Sequence, residues 1–143
     1  MDLQNEESAF IKAPEEKLNA YKDVSIQRPF YIIGHNPNTI SDVRLALAAG
    51  ANAIEPDLNV YSNNPAAFCI SHFEGDDEAS SLIAYLDELH AIVVENAQLA
   101  LIIFDCKSAV SSSEQGYQIL MTIRKHLTHD TGVHIYTIGG RSG

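Results

Sequence analysis

From Arg28 onward the hydrophobic and polar positions switch between two periods. Short runs rich in β-branched and aromatic residues (30–35 FYIIGH, 51–61 ANAIEPDLNVY, 66–72 AAFCISH, 99–107 LALIIFDCK and 132–140 GVHIYTIGG) read as strands. Between them, 38–50, 79–98 and 114–129 carry apolar residues at helical spacing, with Gly50 as a C-terminal stop and Leu82, Leu86, Leu89 and Val93 as a buried stripe. The turn at 63–65 predicts that 66–72 returns antiparallel to the strand before it. Strands alternating with helices of this length predict an α/β fold built from right-handed βαβ units around a parallel sheet.

One strand breaks the expected chemistry. In GANAIEPDLNV, alternate residues share a face, so Ala53, Glu55, Asp57 and Asn59 look one way and Ile54, Pro56, Leu58 and Val60 the other. A strand with its polar face in water is the usual explanation of such a pattern, but both faces of a parallel sheet are normally covered. The two acids must therefore meet something polar inside. Pro56 removes a ladder donor from that strand and predicts a bulge or a loosened segment.

The chain has 143 residues and is 45% hydrophobic, enough for one globular domain with its own core. Residues 1–28 are polar and acidic and form a lead-in, helical or flexible, before a domain over 29–143. Nineteen acids against nine bases give a formal charge of -10, which opposes binding to nucleic acid by general attraction. No apolar window reaches the length of a membrane span and the start does not resemble a signal peptide, so a cytoplasmic location is expected. Cys69 and Cys106 lie in apolar strands and read as buried thiols. His90, His126 and His129 fall on or near helices and read as solvated, and His134 opens the last strand.

Polar residues gather at the ends of the strands: His35 on the first, Glu55 and Asp57 on the second, Asp105 and Lys107 on the third, and His72 after the return strand. The carboxyl ends of parallel strands are where α/β proteins bind ligands. Three carboxylates there repel unless a cation sits among them, and oxygen donors favour a hard ion, so Glu55, Asp57 and Asp105 predict a Mg²⁺ site, with Ca²⁺ as the alternative. Two histidines outside that set, His35 and His72, are suited to move protons as base and acid. Lys107 is suited to hold a phosphate oxygen. Taken singly, a strand-end histidine is more often structural than catalytic. The order His, ExD, His, DxK at successive strand ends raises the chemical reading.

The segment GHNPNTISDVRLALAAGANAIEPDLNV, followed by CISH and LIIFDCK, resembles the glycerophosphodiester phosphodiesterase-like superfamily, closest to its sphingomyelinase D and spider-toxin phospholipase D branch. The resemblance spans about residues 29–140 and implies a TIM barrel. It places the acid/base pair on His35 and His72, the metal ligands on Glu55, Asp57 and Asp105, and the strand-end lysine on Lys107, while Asn38 and Thr39 match the Asn-Thr pair of the family's first motif. The implied activity is metal-dependent cleavage of a phosphodiester in a choline or ethanolamine phospholipid, with a lipid hydroxyl attacking phosphorus to leave a cyclic phosphate. A glycerophosphodiester substrate cleaved by hydrolysis stays open. Toxin members are secreted, which competes with the cytoplasmic expectation.

A TIM barrel needs eight strands and about 250 residues. This sequence supplies about four parallel strands and a short return strand, a partial barrel. That predicts a missing C-terminal half or completion by a second copy, and it leaves an inactive interaction module as the alternative to an enzyme. The loop after His72, FEGDDEASS, lacks the cysteine found there in the toxins, and the chain has no Trp to shape a lipid pocket.

Overall fold

The computed structural model describes residues 30–139, and the expected lead-in over 1–28 lies outside them. From Tyr31 onward the described chain belongs to one compact unit. Its elements run β1 (Ile33–His35), α1 (Ile40–Ala48), β2 (Ala53–Glu55), β3 (Asp57–Tyr61), β4 (Asn64–Ile70), α2 (Leu82–Glu95), β5 (Leu101–Cys106), α3 (Ser113–His126), a 3-10 turn (Thr128–Asp130) and β6 (His134–Gly139). They form a mostly parallel, curled half-barrel sheet with three helices and one extra strand, as the alternating pattern predicts.

β5 is the central strand: it pairs in parallel with β2 and β3 on one side and with β6 on the other. The far side of β2 is taken by parallel β1, and the far side of β3 by antiparallel β4, the predicted return strand. Pro56 separates β2 from β3 but makes no bulge. Ile54 pairs with Ile102 and Asp57 with Asp105, three residues further on in both strands, so the register runs through the proline unchanged. Its carbonyl still accepts from the Asp105 amide at 2.9 Å. The ladder irregularity lies instead between Val60 and Tyr61, before the turn into β4.

Each helix has a side-chain cap that explains where it starts. Thr39 Oγ1 accepts from the Asp42 amide on α1, Ser81 caps α2 and Ser112 with Gln115 forms a capping box on α3. The helices bury one stripe each against the β5 face of Ile102 and Phe104: Val43 and Leu47 from α1, Leu82, Tyr85, Leu86, Leu89 and Ile92 from α2, Ile119 and Ile123 from α3. Gly34 lets α1 lie close on β1, since a Cβ there would stand 2.8 Å from the Ala46 methyl. The opposite face holds the acids, and apolar side chains on it stay in the open: Ile33 on β1, Tyr136 and Ile138 on β6. Ile138 lies beside Asp105 in register.

Tyr85 links the core to the loop after β1. Its ring is fully buried and its hydroxyl donates to the Pro37 carbonyl at 2.6 Å. Removing the hydroxyl leaves that carbonyl without its donor, so Tyr85→Phe is expected to cost about 1–2 kcal/mol. Urea unfolding checks this, and a midpoint equal to the parent's would contradict it.

Candidate active site

The site is assembled from segments that the strands bring to one end of the sheet. After His35, Asn36 adopts a left-handed conformation (φ 59°), which asparagine tolerates better than most residues. That reversal turns the chain so that Pro37 meets Tyr85 and Asn38 meets Asp57. Asn38 clamps Asp57 twice: its Nδ2 donates to Asp57 Oδ2 at 2.9 Å, and its Oδ1 accepts from the Asp57 amide at 2.9 Å.

Asp57 is the hub. It is fully buried, and besides Asn38 it faces Lys107 Nζ, 3.0 Å from Oδ1, and His72 Nδ1, 3.4 Å from Oδ2. Lys107 Nζ also donates to Asp105 Oδ2 at 2.8 Å, so the ammonium spans the two acids that the register sets side by side. Asp57 Oδ1, although in ion-pair range of Lys107, is buried without an aligned hydrogen-bond donor. Burial works against ionising Asp57, but the Asn38 amide, the Lys107 ammonium and His72 outweigh it and hold the carboxyl below its usual range. Lys107 is held above the usual ammonium range, first by the hydrogen bond to Asp105, against partial burial and together with Asp57.

His35 and Glu55 form a second pair, adjacent in register, with His35 Nε2 3.9 Å from Glu55 Oε1. Both histidines are open to solvent, His35 by 68% and His72 by 48% of the side chain, which a proton carrier needs. The structure thus joins Asp57, Asp105, Lys107 and His72 in one network and His35 with Glu55 in another. The three carboxylates do not close into a cage. Among the described residues, the one trio of ligand atoms within 4.8 Å of one another is His90, His129 and Asp130, elsewhere in the fold.

A family model described as Dermonecrotic toxin SPH matches residues 25–136. The chain belongs to this family. No curated protein matches it. The SPH family is the sphingomyelinase D family of phosphodiesterases, typically Mg²⁺-dependent, and membership implies a phospholipid substrate.

Strand periodicity did not single out several residues that lie beside the acids or His72. Asn38 is one, legible only through the Asn-Thr pair. Gly139 is another: its φ is 98°, and a Cβ there would run into the Cys106 carbonyl oxygen and stand 3.1 Å from Asp105 Oδ1, so glycine lets the chain pass this close to the acid. Phe73, 70% exposed, sets its ring edge-on to His72 with centroids 4.9 Å apart. The acidic loop after His72 is tied down by serines on either side of β4: Ser71 Oγ donates to Asp76 and accepts from the Phe73 amide, and Asp77 accepts from Ser62 in the turn between β3 and β4. Cys69 and Cys106 are free thiols, and burial pushes both up to about 11, which makes them poor nucleophiles.

By charge, though not by their present spacing, the three acids suit a divalent cation. Glu55, Asp57 and Asp105 against Lys107 leave two negative charges, the amount one such ion cancels, and Asp57 offers a buried oxygen lacking an aligned donor.

Proposed function

We propose that the cluster around Asp57 is the active centre of a metal-dependent phosphodiesterase acting on choline- or ethanolamine-type phospholipids. The observation that carries this reading is the buried Asp57 Oδ1, flanked by Asp105 and Lys107 and lacking an aligned donor. Glu55, Asp57 and Asp105 would hold Mg²⁺, with Ca²⁺ as the alternative, and the ion would supply positive charge to the phosphate oxygens as charge builds on them.

The remaining work falls to the chain's own side chains. Asp57 holds His72 through Nδ1, leaving Nε2 to exchange a proton with substrate. His35, beside Glu55, is the second proton carrier. One of the two takes the proton from the attacking hydroxyl and the other gives one to the departing headgroup oxygen, so the P–O bond to choline or ethanolamine breaks as the new one forms. Lys107 keeps Asp57 and Asp105 in place and is close enough to the acids to meet a phosphate oxygen. Exposed Phe73 next to His72, and the open apolar side chains Tyr136 and Ile138 on the Asp105 face, support a substrate with an apolar portion. No helix among the described residues is long and apolar enough to cross a membrane, so lipid would be reached from the protein surface.

The test is ³¹P NMR of the 143-residue chain with Mg²⁺ and a mixture of sphingomyelin, lysophosphatidylcholine and glycerophosphocholine. The expected result is a cyclic-phosphate resonance that is absent with His35→Ala. Glycerol phosphate formed from glycerophosphocholine alone would favour the hydrolytic alternative. An unchanged spectrum from folded protein would overturn the enzymatic reading and favour an interaction module.

A further inference from the structure

A second group of ligating side chains lies at the other end of the sheet, where α2 meets the turn that leads into β6. His90 Nε2, on α2, is 2.7 Å from Asp130 Oδ1, and His129 Nε2 is 3.4 Å from Asp130 Oδ2. The two imidazoles stack almost parallel, 9° apart in plane with centroids 5.6 Å apart. One ligand atom from each of the three residues lies within 4.8 Å of the other two. The backbone beneath them is fixed: Leu127 is fully buried, its amide donates to the Ile123 carbonyl, and Thr131 Oγ1 donates to the Leu127 carbonyl at 3.0 Å. One turn earlier on α2, Asp87 meets His126 of α3 at 2.8 Å, so the two helices are joined without help from the trio.

We propose that His90, His129 and Asp130 form a binding site for a divalent transition metal of the zinc type. Two imidazole nitrogens and one carboxylate oxygen are the donor set of a three-ligand zinc site whose fourth position is left to water. Nitrogen donors favour such an ion and disfavour Mg²⁺, so this site and the Asp57 cluster select different metals. Ligands about 2.0–2.1 Å from a tetrahedral ion stand about 3.3 Å from one another. The imidazoles now meet different oxygens of Asp130, His129 at 3.4 Å from Oδ2 and His90 at 2.7 Å from Oδ1, so binding would turn one oxygen to face both rings as the metal replaces the shared proton. All three side chains are at least partly exposed, so neither entry of the ion nor that small movement disturbs the core. A bound ion would tie α2 to the segment entering β6, away from the strand ends that carry Asp57.

The test is a titration of the 143-residue chain with Zn²⁺ in saturating Mg²⁺, with Co²⁺ as an optical probe of coordination. The expected result is saturation at one equivalent and a visible Co²⁺ band that Zn²⁺ displaces. His90→Ala and His129→Ala should each weaken binding more than about tenfold, with unchanged far-UV circular dichroism, while His72→Ala leaves it intact. Absence of Zn²⁺ binding by the parent chain would overturn the proposal. So would binding that survives in the His90→Ala/His129→Ala double variant, or binding lost equally in His72→Ala.

Discussion

His72→Ala should lower the rate of phosphodiester cleavage by about 10²- to 10⁴-fold, the usual contribution of a positioned proton carrier. The same substitution should change the unfolding free energy by less than about 0.5 kcal/mol, because the imidazole is half exposed and its removal opens no core cavity. The two readouts together separate chemistry from folding. Asp57 supports the assignment physically: a carboxylate 3.4 Å from Nδ1 favours the tautomer with its proton there and leaves Nε2 as the exchanging atom. The loop that carries His72 is held by Ser71 and Asp76, which do not depend on the ring, so the variant keeps Phe73 in place. Headgroup release measured alongside urea unfolding is the check. A variant that loses activity and stability in proportion would make His72 structural.

Asp57→Ala is the substitution with the largest expected effect on the fold around the site. It strips Asn38 of its carboxylate acceptor and Lys107 of one of two counter-charges, and it leaves a hole in a fully buried position. The expected destabilisation is about 1–3 kcal/mol, measured with a chelator present. Lys107 keeps Asp105, which holds the cost below that of an isolated buried charge. The pH dependence follows from the direction of the shift. Asp57 has a folded-state pKa below its ordinary 3.8, so its contribution is present above that value and is lost as the pH falls through the lower, folded one. Stability of the parent chain should therefore fall more steeply than that of Asp57→Asn as the pH drops below about 4. Parallel curves would mean that Asp57 is not held ionised by its neighbours.

Strand and helix periods were enough to read the βαβ order and the return strand, and the ends of the elements moved by only a few residues. The anionic face of residues 53–59 was legible for the same reason: a parallel strand covered on both sides cannot leave its acids to water, and Asp57 and Asn59 are indeed buried. What periodicity could not supply were contacts across long stretches of chain. Asn38 reaches Asp57, and Tyr85 reaches Pro37, beside the left-handed turn at Asn36, contacts 19 and 48 residues apart along the chain. His90 and His126 read as solvated because their partners, Asp130 and Asp87, lie about forty residues away along the chain. Pro56 reads from its missing donor as a bulge or a loosened segment; it interrupts the strand between β2 and β3 without a bulge, since its carbonyl accepts from β5 and the register passes through it.

The central claim is that Asp57, with Glu55 and Asp105, holds the divalent ion that the SPH family typically uses. Calorimetric titration of Mg²⁺ into the parent chain and into Asp57→Asn tests it most directly, since the amide keeps the size of the side chain and removes its charge. One saturable site in the parent that is lost or weakened more than about tenfold in Asp57→Asn is the predicted result. Equal Mg²⁺ binding by the two proteins, or none by the parent, would contradict it.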